Sequence, residues 1–272
     1  MFVAFLGTGN ALPSRDRANT ALALMAEPGG RVVVVDCGGD PFRSLLNLRV
    51  AADRVSDIII THAHIDHIGG LPSLIESFRI ANRTTPLHIH AIAHPLGIAR
   101  DLLGTFAFEL TLDRWPFPVT LHELQPGATG PIGDFLCTPY LTDHTIPSIG
   151  MRLVASSVPN GPVVGYTCDT RVAPVLSQIA QDAAFFIAEA TYPRGHEEAA
   201  RQVGHMTAYQ AGEMATSGRA HTLGLVHLSA SNAQESHVQR EAKAAFRGDV
   251  IVPRDGFVYQ VERRVHRVAR LP

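Results

Sequence analysis

The sequence predicts an α/β fold, because short apolar runs alternate with segments of helical periodicity along its 272 residues. Glycine and proline separate these segments, and no low-complexity stretch interrupts them. The run Ile58-Ile59-Ile60 carries apolar side chains at successive positions, which is typical of a strand buried on both faces. We expect a single domain spanning residues 1–272, since no shift in composition marks a boundary.

Apolar and β-branched residues cluster in short runs that end at glycine, proline or polar residues, which is the pattern of strands. The predicted strands are Phe2–Leu6, Val32–Val35, Asp57–Thr61, Leu87–Ala91, Phe135–Thr138, Ile149–Ala155, Val163–Thr167, Phe185–Ala188, Leu223–Leu228, Val250–Val252 and Gly256–Val261. The last two lie around the turn Arg254-Asp255-Gly256, so they are expected to close the sheet.

Helices are predicted where the apolar spacing changes to that of one helical face. Leu71 to Ala81 has this spacing. Thr207 with Gln210, and Ser231 with Gln234, fit a capping box, in which side chains and backbone donors at a helix start satisfy each other. These two helices are expected to end near Ser217 and Phe246. The aromatic segment Phe106–Phe117 is predicted to be either a lid over a site or an ordinary connection.

Charge and hydropathy restrict the function classes. The formal net charge of −2, with Lys243 as the only lysine, argues against a strongly basic nucleic-acid-binding surface. No apolar stretch approaches the roughly 18 residues that cross a bilayer, and no basic region precedes the apolar N-terminus as in a secretory signal. We expect a cytoplasmic protein without a membrane partner, whose three cysteines, Cys37, Cys137 and Cys168, are core thiols.

A dense group of potential metal ligands follows the most apolar predicted strand. The motif His-x-His-x-Asp-His places His62, His64, Asp66 and His67 within six positions. Imidazole and carboxylate suit zinc and similar ions, and a loop at the carboxyl end of a strand can turn all four toward one point. Gly69 and Gly70 are expected to let the backbone turn tightly before the next helix. The motif therefore predicts a metal site rather than a histidine-rich surface loop.

Three later residues stand at or just beyond predicted strands, where further ligands are needed to complete two coordination spheres. They are His144, Asp169 and His227. Each also has a simpler interpretation, since His227 could be a core histidine, Asp169 a helix cap and His144 a turn residue. Their order after the first motif favours metal binding.

The ordered series of the four-ligand motif, then a lone His, a lone Asp and a lone His, resembles the metallo-β-lactamase superfamily across nearly the whole chain. The resemblance implies a four-layer αβ/βα sandwich with two metal ions at one edge of the facing sheets. It further implies that His62, His64 and His144 hold one ion, that Asp66, His67 and His227 hold the other, and that Asp169 bridges them.

Three other features of the sequence resemble the ribonuclease Z branch of that superfamily. They are the opening Phe5-Leu6-Gly7-Thr8-Gly9 with Pro13-Ser14, the segment Asp36-Cys37-Gly38-Gly39, and the pair Glu189-Ala190-Thr191 and Gly204-His205-Met206-Thr207-Ala208. The resemblance implies that His205 approaches the scissile group and that Glu189 orients it. A proton donor beside an anchoring carboxylate suits phosphodiester cleavage. The alternatives are a turn residue for His205 and a strand-end ion pair for Glu189.

The chain also departs from that branch. Only 24 residues separate His144 from Asp169, so the long arm with which many ribonuclease Z enzymes grip tRNA is absent there. The ending His227-Leu228-Ser229-Ala230-Ser231-Asn232 lacks the family's Arg-Tyr pair. These departures leave open whether the substrate is a tRNA precursor or a smaller phosphodiester.

The resemblance implies a metal-dependent hydrolase with two divalent cations, zinc being expected and manganese or iron the alternatives. Asp66, Glu189 and His205 are the expected catalytic residues, a hydroxide shared by the ions is the expected nucleophile, and a homodimer is the expected assembly. The competing function is hydrolysis of a lactone or sulfate ester on the same metal site, which the aromatic segment Phe106–Phe117 would suit. A non-catalytic metal-binding protein is disfavoured by the full set of ligands.

Overall fold

The computed structural model describes residues 1–106, 116–158, 160–229 and 234–272, and fifteen strands within them form two mixed sheets. The strands are β1 Phe2–Gly7, β2 Ala21–Met25, β3 Val32–Val35, β4 Val55–Ile59, β5 Leu87–Ala91, β6 Val119–Glu123, β7 Gly130–Ile132, β8 Phe135–Thr142, β9 Ser148–Ala155, β10 Val164–Tyr166, β11 Phe185–Glu189, β12 Thr222–Val226, β13 Asp249–Ile251, β14 Val258–Val261 and β15 Val265–Val268. The helices are α1 Pro41–Asn47, α2 Ile65–Ile68, α3 Leu71–Ile80, α4 Ala93–Thr105, α5 Val175–Ala180, α6 Glu197–Gln202, α7 Ala208–Ser217 and α8 Glu235–Lys243, and Ala52–Arg54 forms one 3₁₀ turn.

The first sheet has the strand order β15-β14-β1-β2-β3-β4-β5-β6, and the second has the order β13-β12-β11-β10-β9-β8-β7. Each sheet is antiparallel on one side and parallel on the other. Strands β3 to β6 run parallel in the first sheet, and β10 to β13 run parallel in the second. Helices connect the parallel strands, as βαβ crossovers require.

Three apolar cores separate four layers, and strand β1 shows how they are built. Val3 and Phe5 point into the core between the two sheets, whereas Phe2 and Leu6 point into the core under α1, α3 and α4. A third core lies between the second sheet and helices α5, α7 and α8. Because both faces of a strand are buried, its side chains are apolar at successive positions, as predicted for Ile58-Ile59-Ile60. The predicted four-layer αβ/βα sandwich is confirmed.

Most predicted elements are present with shifted ends. The strand predicted at Asp57–Thr61 spans Val55–Ile59, and the predicted capping box at Thr207 forms with both of its hydrogen bonds. Helix α8 begins at Glu235, while Ser231, the other predicted cap, lies outside the described residues. Most of Phe106–Phe117 also lies outside them, so the lid prediction stays a prediction.

Two elements that were not predicted, strand β2 and helix α4, contain residues that disfavour the conformation they adopt. Strand β2, Ala21–Met25, contains no β-branched residue, although it is fully buried between β1 and β3. Helix α4 contains Pro95 and Gly97, both unfavourable in helix interiors, but Pro95 lies in the first turn, where its missing N–H costs nothing. Burial between neighbours outweighs weak local propensity at both places.

The parallel strands of both sheets direct their carboxyl ends toward one edge of the sandwich. Strands β3 and β4 end there in the first sheet, and β10, β11 and β12 end there in the second. Ligands bind beyond the carboxyl ends of strands in open α/β sheets, because loops from several strands meet at that edge.

Candidate metal centre

The histidine loop after β4 is shaped by the short helix α2. This helix turns Asp66 and His67 inward, whereas Ile65 is 74% exposed. Two contacts with the loop after β3 hold it in place. A Cβ at Gly38 would lie 1.6 Å from the carbonyl oxygen of Asp66, and one at Gly70 would lie 2.3 Å from that of Cys37. The glycines are therefore required by close backbone packing.

The expectation that Gly69 and Gly70 let the backbone turn tightly was wrong, because neither residue has a conformation that requires glycine. Gly69 has φ −61° and Gly70 has φ −85°, which are ordinary helical values that any residue adopts. The two glycines join α2 directly to α3. A side chain at Gly69 would collide with Ile65, and one at Gly70 with the loop after β3.

The first group of donors consists of three imidazoles. His62 Nε2 lies 3.0 Å from His64 Nδ1, which in turn lies 3.0 Å from His144 Nε2. His144 comes from the segment after β8, 80 positions from His64. His144 Nδ1 lies 2.8 Å from the Gly204 carbonyl and donates its proton there, so its Nε2 carries a lone pair. Burial lowers the pKa of all three histidines, which favours the neutral form that binds metals.

The second group combines two imidazoles and two carboxylates. Asp66 Oδ2 lies 3.4 Å from both His67 Nε2 and His227 Nε2. Asp169 Oδ2 lies 3.4 Å from His67 Nε2, 3.1 Å from His227 Nε2 and 3.9 Å from His62 Nε2. Asp169 therefore stands between the two groups. All seven residues that the sequence singled out as metal ligands lie within this cluster.

The ring protons of the second group point away from its centre. His67 Nδ1 donates to Asp36 Oδ2 at 2.8 Å, and His227 Nδ1 donates to Thr191 Oγ1 at 2.9 Å. In neutral rings both Nε2 lone pairs then face carboxylate oxygens, which repel them. Two buried atoms of this group, His67 Nε2 and Asp169 Oδ1, have no hydrogen-bond partner among the residues that the structure describes. A cation at the centre would satisfy all of these atoms, so the residues fit the divalent ions that the fold implies.

The charges around His67 would favour a proton on its ring when no cation is bound. Burial lowers the pKa of His67, but the carboxylates of Asp169 and Asp36 outweigh burial and raise it well above its usual value. Binding of a cation would displace that proton, because a metal ligand must offer its lone pair.

Asp36 had no role assigned on sequence grounds, yet it orients donors of both groups. It is fully buried at the end of β3 and accepts hydrogen bonds from His67 Nδ1 and from Thr61 Oγ1 at 2.8 Å. Thr61 Oγ1 lies 3.1 Å from His62 Nδ1, so one carboxylate reaches a histidine of each group. Asp36 has φ +64°, a left-handed conformation that is costly outside glycine and concentrates at functional sites. The sequence signals were an acid directly after four valines and its place in the segment Asp36-Cys37-Gly38-Gly39, which resembles the ribonuclease Z branch.

Replacing Asp36 with asparagine should weaken metal binding by about 10- to 100-fold, the usual cost of removing a partner that orients a metal-binding histidine. The asparagine keeps the volume but offers one acceptor oxygen where two are used. Metal affinity measured by competition with a chromophoric chelator checks this. The matched control is Asp134→Asn, which breaks an exposed ion pair with Arg31. Equal affinities in the two variants would show that Asp36 does not position the histidines.

His205 and Glu189 form a third group beside the first two. Glu189 lies buried at the end of β11, and its Oε1 accepts from His205 Nδ1 at 2.9 Å and from the Thr170 amide at 2.8 Å. Burial lowers the pKa of His205, but the charge and hydrogen bond of Glu189 outweigh burial and raise it to about 9. The ring of His205 stacks on that of His227, with centroids 5.2 Å apart. The pair therefore borders the donor cluster.

The glycine of the Gly-His-Met-Thr-Ala segment is required by this arrangement. Gly204 has φ +88°, and a Cβ there would lie 2.5 Å from His144 Nδ1. Its carbonyl accepts the proton of that same nitrogen. One residue thus orients a candidate metal ligand and leads directly into His205.

Thr191 is a second residue that orients candidate site residues and that had no role assigned on sequence grounds. Its hydroxyl donates to Glu189 Oε2 at 2.7 Å and accepts from His227 Nδ1. Glu189 is therefore linked to His205 directly and to His227 through Thr191. A threonine two positions after a strand-end acid is too common a pattern to indicate this role without the fold.

Comparison with known proteins places this chain in a known class. The family model described as the metallo-beta-lactamase superfamily matches residues 17–140, which include the histidine loop. The structure of YhfI, a metallo-beta-lactamase fold protein from Bacillus subtilis, superposes with a TM-score of 0.79 at 22% identity and covers 94% of this chain and 98% of that one. This fold and this donor set are those of a metal-dependent hydrolase.

Two further relatives define the branch. Ribonuclease Z of Natronomonas pharaonis is 30% identical over 302 residues, covering 93% of this chain and 96% of that protein. The crystal structure of human tRNase Z, short form, superposes with a TM-score of 0.77 at 25% identity, covering 96% of this chain and 99% of that one. The chain belongs to the ribonuclease Z-like branch of the metallo-β-lactamase superfamily. In its described part, no helix is both long and apolar enough to cross a membrane.

Proposed function

We propose that this protein hydrolyses phosphodiesters at a centre of two divalent cations, with zinc as the expected metal. His62, His64 and His144 would hold one ion, Asp66, His67 and His227 the other, and Asp169 would bridge them. The observation that carries the proposal is the position of Asp169, whose Oδ2 faces nitrogens of both groups at 3.1 to 3.9 Å. A shared carboxylate lowers the repulsion between two neighbouring cations.

When bound, two such ions supply a hydroxide nucleophile at neutral pH and polarise phosphoryl oxygens. The chain's own residues supply what remains. His205 is anchored through Nδ1 by Glu189, which leaves Nε2 as the ring nitrogen available to a substrate. A proton on that atom can stabilise a phosphoryl oxygen or pass to the leaving oxygen. A lactone needs less help of this kind, so the His205–Glu189 pair favours phosphodiesters.

The proposed substrate is the phosphodiester backbone of RNA, including tRNA precursors. Its support is the name ribonuclease Z carried by the relatives that match over nearly their full length. The net charge of −2 and the 24 residues between His144 and Asp169 indicate a shorter contact with RNA than an arm-bearing enzyme makes. We further infer one domain over residues 1–272, because residues from both ends of the chain share the core between the sheets. We also propose a homodimeric state and a cytoplasmic location.

The test is a panel of substrates with added zinc or manganese. We expect turnover of bis(p-nitrophenyl) phosphate and of a short RNA, little turnover of a lactone or an aryl sulfate, and loss of all turnover in a strong chelator. Reconstitution with zinc after chelation should restore the rate. Strong lactone or sulfate turnover without phosphodiester cleavage would overturn the proposal and support the competing ester hydrolase.

A further inference from the structure

Eight histidines lie outside the candidate centre and its neighbour His205, and three of these eight form a second cluster. His88 and His90 lie on β5 and His122 lies on β6, with ring centroids 4.9 Å apart for His90 and His122 and 5.1 Å apart for His88 and His122. The strand register places all three on one face of the first sheet. His90 pairs with Ile59, a residue of the core between the sheets, so this face is the inner one.

A buried carboxylate supports the cluster from the next strand. Asp57 on β4 is 3% exposed, and its Oδ1 accepts from His90 Nε2 at 2.7 Å. The other oxygen, Oδ2, is buried and has no hydrogen-bond partner in the described part of the chain. The His90 ring stacks on His122 with an angle of 18° between the planes. Asp57 therefore holds His90, and His90 restricts the ring of His122.

Two ring nitrogens of the cluster face each other, one on His88 and one on His122. His88 Nδ1 lies 3.0 Å from His122 Nε2 and 2.8 Å from Thr120 Oγ1. A ring nitrogen carries either one proton or one lone pair, so His88 Nδ1 cannot make a good hydrogen bond to both neighbours at once. Zinc–nitrogen bonds of about 2.0–2.1 Å place two ligating nitrogens roughly 2.9–3.4 Å apart for angles between about 90° and 109°. The observed separation falls in that range.

We propose that His88 Nδ1 and His122 Nε2 bind one divalent first-row transition-metal cation at a site separate from the catalytic centre. Zinc is the cation used to test this. Water completes the coordination, because His122 is exposed. Burial and the neighbouring His90 and His88 lower the pKa of His122, which favours its neutral, metal-binding form. The cation would link β5 to β6, the edge strand of the first sheet.

The test counts zinc ions per chain by equilibrium dialysis against zinc alone, at low micromolar free metal, for wild type and for His88→Ala and His122→Ala. We expect each variant to bind one ion fewer than wild type, or to bind that ion at least tenfold more weakly. The matched control is His94→Ala, an exposed histidine on α4 outside the cluster, which should bind as wild type does.

Because the zinc count of each variant is compared with that of wild type, the result does not depend on whether the catalytic centre holds metal. Wild type should also gain thermal stability on zinc addition beyond the gain of His122→Ala, because an ion that binds only the folded state stabilises it by mass action. Equal stoichiometry and equal stabilisation in all four proteins would overturn the proposal. Phosphodiesterase activity should be the same in His122→Ala and wild type, which separates this site from the proposed function.

Discussion

Replacing Asp169 with asparagine should cause the largest loss of metal binding and of activity among single substitutions of this protein. Asp169 is buried, and its Oδ2 faces His62, His67 and His227. Removing one partner of a buried charge interaction costs about 3–5 kcal/mol, which corresponds to roughly 10²- to 10⁴-fold in metal affinity. Both proposed ions lose a ligand and the negative charge between them. Phosphodiester turnover should fall to the background rate.

Metal analysis after dialysis against a weak chelator measures this effect, with circular dichroism to check the fold. The control is Asp182→Asn, which removes an exposed carboxylate paired with Arg219 and should retain full metal content. Two tightly bound ions per chain in Asp169→Asn would rule out a bridging role for this residue.

Replacing His205 with alanine should leave metal content intact and reduce phosphodiester turnover by about 10²- to 10⁴-fold, the usual contribution of a general acid. His205 borders the donor cluster but is anchored by Glu189. Its loss leaves Glu189 with hydrogen bonds from Thr170 and Thr191, so the carboxylate stays buried and partnered.

The size of the effect should depend on the leaving group. p-Nitrophenolate leaves without much protonation, whereas a ribose oxygen needs a proton, so the loss should be larger for RNA than for bis(p-nitrophenyl) phosphate. His221→Ala, at an exposed position, is the matched control. A loss of equal size on both substrates would indicate that His205 stabilises phosphoryl charge without donating a proton, and an unchanged rate would exclude both roles.

More of the candidate site than of the surrounding strands and helices could be predicted from the sequence. The four residues of the first motif lie within six positions, and their ligand types are specific for metal even without a structure. His144, Asp169 and His227 could be selected only by their order, and the structure brings them to the motif from three other strand ends. Strand β2 and helix α4 were missed because their residues disfavour the conformation that burial imposes.

What the sequence by itself determined is the chemistry of the centre: the kinds of donors, their order along the chain, and the α/β alternation that buries strands on both faces. Only the tertiary structure decided which residues orient those donors. Asp36 reaches His67 across 31 positions, and Thr191 reaches His227 across 36. Such contacts carry no periodicity or local pattern, because they depend on which strand ends meet at one edge of the sandwich. For the same reason, only the folded sheet brings His88 next to His122.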